Sequence, residues 1–524
     1  MKIVLQRCGF AAFSFLLVIS AFGQDDSGQS LADVARKLRK DTTNEVKMTD
    51  ADTKKLFESV DRIFAFAAED TEMPKHAAVK RRLVSKADVE QYAAGQMAKE
   101  EYAKALAQGE PSMKKLGFLP REFNLKEFLV KSTGQGIAAY YDDETKTISM
   151  LNWVPPDRQE PILAHELTHA LQDQNYDLAK WMKPKKKLAE GGATDDSAVA
   201  RKAVVEGQAM VVYVDYLLKP LGRSLEDTPG LVYQMEEPAV KAVIDSQMMH
   251  DAPIILREMG AFPYQQGLIF EGELLHAGGK KMAFAGAFAR PPRNSHEVLE
   301  PDAYIRGEKL PAVSIPDMKD ALNDQYDLYD SGGIGELDVR ALLKQYGERK
   351  AADEVSAEWQ GGAYATFRRK DKTVSDVVPT TADLSLLYVS RWKTPQVADW
   401  FARFYVRSLS QRYHSATVQP SVACSEANCP ASSTVVVTEE GPVIVELWKD
   451  NSVIVSESFD PAMAAKLRTA LRDGASATHA QNLPQEEIGF RLLQSPTFQS
   501  FERQVGEQIK NQMWQAHMWQ ESQR

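Results

Sequence analysis

Cysteine is almost absent, at 3 residues in a chain of 524. Cys8 precedes an apolar run instead of following it, so it does not read as a lipidation site. Cys424 and Cys429 are five apart in a Ser/Asn/Pro-containing stretch. In an exported chain such a pair favours a short-ring disulfide, with two free thiols or an incidental metal pair as the alternatives. The pair speaks to compartment more than to function. Positive charge is not in excess either. The formal net charge is −10, which leaves no electrostatic footprint for nucleic acid and disfavours an anionic membrane surface as a general partner. Long hydrophobic runs are missing apart from residues 10–19, so no other segment could cross a bilayer.

That one apolar run reads as part of a secretory signal. Lys2 and Arg7 form a basic start, and Ala21-Phe22-Gly23 is a small-residue cleavage site before Gln24. An uncleaved anchor is the alternative, but the run is short for a span. Lys2 and Arg7 are the only charges in residues 1–23, so removing them takes the net charge from −10 to −12. The expected location is periplasmic or extracellular. The length implies two or three domains, and 44% hydrophobic residues suffice for sizeable cores.

Histidine is scarce as well, at 9 residues, yet two of them fall in His165-Glu166-Leu167-Thr168-His169. Histidines four apart on a helix share one face, with Cβ atoms roughly 5–6 Å apart. Both imidazoles can then reach one Zn²⁺ at about 2.0–2.1 Å. Glu166 sits at the edge of that face, where it can act as general base without being a ligand. The bland alternative is a surface helix carrying two unrelated histidines. Against it, Asp157-Arg158-Gln159-Glu160 reads as a capping box with Pro161 in the first turn. Ile162, Leu163, Leu167, Ala170 and Leu171 then form an apolar stripe beside the histidines.

A tetrahedral catalytic zinc needs a third protein ligand and one open position. A histidine six residues after the second His is one common solution, but the relevant positions hold Gln172 and Asn175. Glu206 is the better candidate. It lies within a nearly unbroken apolar stretch, residues 198–218, which reads as a buried helix where an unpaired carboxylate is costly. Gly207 costs about 1 kcal/mol in mid-helix, and close helix–helix approach would explain it. The alternative for Glu206 is an ion pair with a basic residue such as Lys202. Glu190, Asp195, Asp196 and His250 are weaker competitors for the metal. The Lys183-Pro184-Lys185-Lys186-Lys187 run between the two helices reads as a solvated loop.

With these residues in place, the chain resembles the Glu-zincin metallopeptidases, the thermolysin-like clan. More closely, it is similar to a group of bacterial exported proteins built round HELxHALQDQ and a downstream EG-x-A helix. The matching residues are His165 to Gln174 and Glu206 to Ala209. Further similarity lies in Ala139-Tyr140-Tyr141-Asp142, Lys146-Thr147-Ile148, Phe262-Pro263-Tyr264-Gln265-Gln266-Gly267 and Pro291-Pro292-Arg293-Asn294-Ser295-His296-Glu297. The resemblance covers residues 115–475, and only the zinc motif is highly specific. It implies His165, His169 and Glu206 as ligands and Glu166 as base. Thermolysin-like enzymes also place an aspartate four residues after the ligand Glu to orient a zinc histidine; here that position is Met210. Either Asp173 or another carboxylate substitutes, or the site is weaker.

The expected fold class is α+β: a mainly helical zincin-like metallopeptidase core with a short edge sheet, followed by a smaller α+β domain. Residues 24–115 read as a charged helical region, with Leu56, Val60, Ile63 and Phe64 on one apolar face, covering the core of residues 116–345. Strands are expected at 136–141 and 147–153, joined by an Asp142-Asp143-Glu144 turn. A strand beside the histidine helix could pair with an extended substrate by β-addition, or the two strands be an ordinary hairpin. A helix beginning near Tyr264 ends at Gly278-Gly279, and helices continue to about 345. Residues 346–475 show two strand–strand–helix units, which suggests an internal duplication: strands 363–368 and 384–391 before helix 395–413, and strands 434–438, 443–448 and 452–456 before helix 461–472. The tail, 476–524, reads as polar and helical, with Trp514, Met518 and Trp519 exposed or docked.

The expected activity is zinc-dependent hydrolysis of a peptide or protein substrate. A donor for the developing oxyanion is also needed, and Tyr264 and His296 are the candidates. A buried Tyr is commonly core and a lone His commonly structural, so geometry must decide. The alternatives are a catalytically silent, protease-like binding protein, or a cell-envelope interaction protein with a structural zinc site. Gly332-Gly333-Ile334-Gly335 lacks the setting of a nucleotide loop, and His276, His414, His479 and His517 are scattered.

Overall fold

The first described helix, α1 (Asp50–Thr71), starts at a capping box in which the Thr49 hydroxyl accepts from Asp52 N–H, and Leu56, Val60, Ile63 and Phe64 are buried along it. The computed structural model describes residues 48–88, 100–132, 139–183, 194–370, 378–420, 429–476, 493 and 495–522. The expected leader at 1–23, much of the loop after Lys183, Glu190, Cys424 and His479 therefore lie outside the described residues. Cys429 is disulfide-bonded.

The region expected to be mostly helical contributes a strand as well. β1 (Lys80–Val84) pairs parallel with β3 (Thr147–Leu151), and β2 (Ala139–Asp142) pairs antiparallel on the other side, giving the order β1-β3-β2. The turn between β2 and β3 is held by Asp142, whose Oδ1 accepts from Glu144 N at 3.1 Å and Thr145 N at 2.9 Å. Helix α2 (Glu100–Leu116) comes between β1 and β2 in the chain.

α3 (Pro156–Tyr176) carries both motif histidines and packs against α1. It has no side-chain cap at its N-terminus, so the expected capping box does not form. Its members have other partners. The Gln159 amide accepts from Leu151 N (3.0 Å) and donates to Leu151 O (2.9 Å) and Val154 O (2.6 Å), tying the helix to β3. Glu160 accepts from Tyr216 and pairs with Arg62.

α4 (Thr194–Leu218) and α5 (Ile254–Lys280) lie against each other. They meet backbone to backbone at two glycines: a Cβ on Gly207 would stand 2.3 Å from Gly267 O, and one on Gly267 would stand 2.4 Å from Ala203 O. α5 begins ten residues before Tyr264, and its backbone departs from helical geometry at Gly278 and Gly279. A π-helical turn, Lys281–Gly286, follows. α6 (Ser295–Leu299) comes next.

A seven-stranded antiparallel sheet fills the C-terminal half. It starts with β4 (Tyr326–Gly333), inside the stretch expected to be helical up to 345, and Gly332-Gly333 belong to that strand. After α7 (Glu336–Gln345) come β5 (Trp359–Arg369), β6 (Leu384–Trp392), α8 (Pro395–Arg412), β7 (Ala416–Val418), β8 (Ser432–Thr438), β9 (Gly441–Leu447), β10 (Ser452–Glu457) and α9 (Pro461–Ser476). The strand order is β4-β5-β6-β10-β9-β8-β7. The period-2 pattern sends Tyr364 and Tyr388 to one face with Phe401 and Tyr405 of α8. Phe367, Leu387 and Ile454 go to the other, with Met463 and Leu467 of α9. The two expected units are thus joined at β6–β10, but their helices cover opposite faces. Two copies related by a two-fold axis between those antiparallel strands would put both helices on one face, so the arrangement is not that of a symmetric duplication. The first face shares one buried cluster with Leu163 and Leu167 of α3, which packs the sheet onto the helical part.

The last helix, α10 (Pro496–Ser522), buries Phe498, Phe501, Val505, Ile509 and Met513, a three- and four-residue spacing that marks one apolar face. It docks against α5. Trp514 is partly buried under the guanidinium of Arg158, 5.0 Å from its ring, while Met518 stays exposed.

Candidate metal centre and catalytic cleft

One turn of α3 presents His165 and His169 side by side, with Nε2 atoms 3.2 Å apart and rings nearly perpendicular. From α4, Glu206 brings Oε2 to 3.2 Å from His165 Nε2 and 3.4 Å from His169 Nε2. The three atoms form a near-equilateral triangle in a buried setting. Ligands at about 2.0–2.1 Å round a tetrahedral ion stand about 3.3–3.4 Å apart, so the triangle has the size of one face of such a site. Glu206 Oε2 has no well-oriented hydrogen bond of its own, as expected of an atom whose partner is a metal. Among the described residues one group of three gathers within 4.8 Å, namely His165, Glu166 and His169. Glu166 is nevertheless the weaker ligand: its Oε1 is 4.0 Å from His165 Nε2, and Oε2 accepts from Tyr141 N at 2.9 Å. By these shorter contacts Glu206 is better placed than Glu166 to complete a metal site with the two histidines.

Lys202, the alternative partner of Glu206, instead pairs with Glu502 of α10. Asp196 accepts from Ser295 N at 3.1 Å, and His250 is exposed, its carbonyl accepting from Arg257 at 2.6 Å. Glu190 and the side chain of Asp195 are outside what the structure describes. The substitute for the missing aspartate is not a carboxylate. Asp173 accepts from Tyr141 Oη at 2.9 Å and Lys146 Nζ at 2.5 Å. Gln172 takes that place, with Oε1 2.9 Å from His169 Nδ1.

Electrostatics follow burial and charge. Burial, with Lys510 nearby, pushes His165 down to about 4, which favours the neutral imidazole a metal requires. Burial also works against a charged His169, but the Glu206 carboxylate outweighs it and raises that histidine. For Glu206, burial alone would raise the pKa; the two imidazoles overcome it and hold the acid well below its usual range.

The cleft beside this triangle has a volume of about 450 Å³. β2, an edge strand of its sheet, lines one wall, and Tyr264 of α5 lines another. The Tyr264 ring stacks 6.3 Å from that of His165, and burial together with the surrounding carboxylates drives its hydroxyl well above the normal range. His296, the second oxyanion candidate, is not part of the lining. Its Nδ1 pairs with Glu336 Oε2 at 2.5 Å. The surrounding stretch holds the fold: Asn294 caps α6, Ser295 bonds Asp196, and Arg293 pairs with Glu297.

α10 supplies the wall that sequence reasoning missed, with Glu502, Arg503, Glu507 and Lys510 all in the lining. Lys510 Nζ is 2.6 Å from Glu507 Oε1 and 3.5 Å from Glu166 Oε1. Burial opposes its charge, but Glu507 and Glu166 outweigh that and raise its pKa. Burial pushes Glu507 up to about 7. The one signal in the sequence was a lysine next to Ile509, three residues from Met513, on a face that must be buried.

A domain of unknown function (DUF8575) matches residues 325–473, the span from the seven-stranded sheet into α9, and leaves His165, His169 and Glu206 outside the match. No curated protein and no solved structure matches the chain.

Proposed function

We propose that this chain is an exported, zinc-dependent metallopeptidase with a Glu-zincin-type core. The observation that carries the reading is the His165–His169–Glu206 triangle, with edges of 3.2, 3.2 and 3.4 Å, facing a cleft that also holds Glu166. Two imidazoles and one carboxylate are the donor set of a catalytic rather than a structural zinc, because a fourth position stays open. Held there, the ion supplies Lewis acidity toward water and toward a scissile carbonyl.

The remaining chemistry belongs to the side chains. Tyr141 N–H engages Glu166 Oε2, and Oε1, which Lys510 Nζ approaches to 3.5 Å, is the oxygen that accepts a proton from the attacking water. That proton then passes to the amide nitrogen as the C–N bond breaks. Tyr264 is the candidate donor to the developing oxyanion from the cleft wall. An extended peptide would lie along β2, which supports a peptide or protein substrate. Export rests on the leader signal of residues 1–23; among the described residues no helix is long and apolar enough to cross a membrane.

The test compares wild type with Glu166→Gln and His169→Ala on a mixed peptide library, with zinc content measured on the same samples. Glu166→Gln should keep about one zinc and lose cleavage, and His169→Ala should lose the metal. Equal cleavage by wild type and Glu166→Gln removes the mechanism. Zinc without any cleavage by wild type would favour the silent binding protein.

A further inference from the structure

Two glutamines connect the metal triangle to a backbone turn far along the chain. Gln172 and Gln208 are both fully buried. Gln208 Nε2 donates to Ala283 O at 2.9 Å and to Phe284 O at 3.1 Å, two carbonyls of the π-helical turn Lys281–Gly286. Gln172 Nε2 donates to Gln208 Oε1 at 3.1 Å and to Val205 O at 3.0 Å. Gln172 Oε1 then faces His169 Nδ1 at 2.9 Å.

We propose that Gln172 and Gln208 are positioning residues that fix which ring nitrogen of His169 carries the proton, and so which one faces the metal. This inference rests on His165, His169 and Glu206 being the ligands. The polarity of the chain is forced from its far end. A carbonyl can only accept, so the side of Gln208 facing Ala283 and Phe284 must be its amino group. Turned round, its oxygen would meet two other oxygens. Oε1 of Gln208 therefore faces Gln172 and demands a donor there, and Val205 O demands the same donor independently. Gln172 is left with only its oxygen for the imidazole, and His169 must answer with Nδ1–H. Nε2 is thereby the nitrogen that offers a lone pair to an ion, and the ring plane is set before the ion arrives. His165 has no such device, since its Nδ1 finds no hydrogen-bonding partner among the described residues. The two ligands are thus held unequally.

The test uses the full chain, stripped of metal and titrated with Zn²⁺ against a chromophoric chelator, with thermal unfolding of the metal-free samples followed in parallel. Gln172→Met removes the acceptor and should weaken zinc binding roughly 10- to 100-fold. Gln208→Met leaves the Gln172–Val205 bond in place and touches no ligand; a loss of roughly three- to tenfold is expected. In zinc-loaded wild type, NMR should show a slowly exchanging Nδ1–H on His169 that is lost in Gln172→Met. Wild-type zinc affinity in both variants overturns the proposal, and lower thermal stability with unchanged affinity does so too, by reducing the pair to packing. Should Gln172→Met fail to fold, Gln208→Met decides alone. A wild type that binds no zinc overturns the metal reading along with this one, whereas a zinc-binding wild type with unaffected variants overturns only this one.

Discussion

Lys510 Nζ lies 3.5 Å from Glu166 Oε1, so the last helix of the chain sets a buried cation against the acid at the centre of the cleft. Glu166 is then held from both sides, by Tyr141 N–H on one oxygen and by Lys510 on the other. The helix is firmly seated there: Tyr213 Oη donates to Lys510 O at 2.6 Å, and Gly506 passes so close to the Tyr264 ring that a Cβ would stand 2.2 Å from it.

Replacing Lys510 with methionine keeps the unbranched stem of the side chain and removes the terminal ammonium. Hydrolysis should fall roughly 10- to 100-fold through loss of the Glu166 orientation, with zinc stoichiometry unchanged. Turnover and metal content measured together decide it, and full activity in the variant would refute the role.

Tyr264→Phe removes one hydroxyl from the cleft wall and leaves the ring against Gly506. If this hydroxyl is the oxyanion donor, kcat should drop by about 10²–10³ while KM and zinc affinity hold. A variant that loses KM alone would make Tyr264 a substrate contact.

At the α4–α5 crossing, Gly207→Ala should lower stability by about 1–3 kcal/mol, despite alanine's better helix propensity. The added carbon has no room beside Gly267 O. Denaturant unfolding is the measurement. Unchanged or higher stability would show that the helices can separate freely.

Stability should also depend on pH through a buried acid pair outside the cleft. Burial and the neighbouring Asp70 carboxyl push Asp215 up to about 8, from an ordinary 3.8. The unfolded chain releases this proton near pH 4, whereas the folded chain keeps it to about 8. The folded state binds more protons in that window, so the stability contribution falls as pH rises through it. Asp215→Asn removes the dependence and can still accept from Leu225 N, which lies 2.6 Å from Asp215 Oδ1. Its thermal midpoint relative to wild type should therefore climb between pH 5 and pH 8, by an amount on the order of a few kcal/mol in stability. A constant offset across that range would contradict the assignment.

Much of the site was legible because its signals are local. His165 and His169 are four apart on one helix, a relation fixed by the helical repeat alone. Glu206 stood out as a lone acid in an apolar stretch, and Gly207 as a glycine with no turn to make. The strands of the large sheet were visible where apolar and β-branched residues run together, as in β6 and β10. β4 was missed because Asp327, Asp330, Ser331, Gly332 and Gly333 carry turn chemistry, and only pairing with β5 makes them a strand. β1 was missed because Lys80, Arg81 and Arg82 look like a solvated run until β3 lies alongside.

The sequence by itself determined the local chemistry: two imidazoles and a glutamate on one helical face, a buried carboxylate on a second helix, and the apolar patterning of most strands. Those follow from backbone periodicity and the cost of burying charge, which act over a few residues. Tertiary structure alone decided that Lys510 meets Glu166, that Gln172 lies between His169 and Gln208, and that His296 meets Glu336 instead of the cleft. Each of those joins elements distant in the chain, and no local spacing records which buried faces will meet.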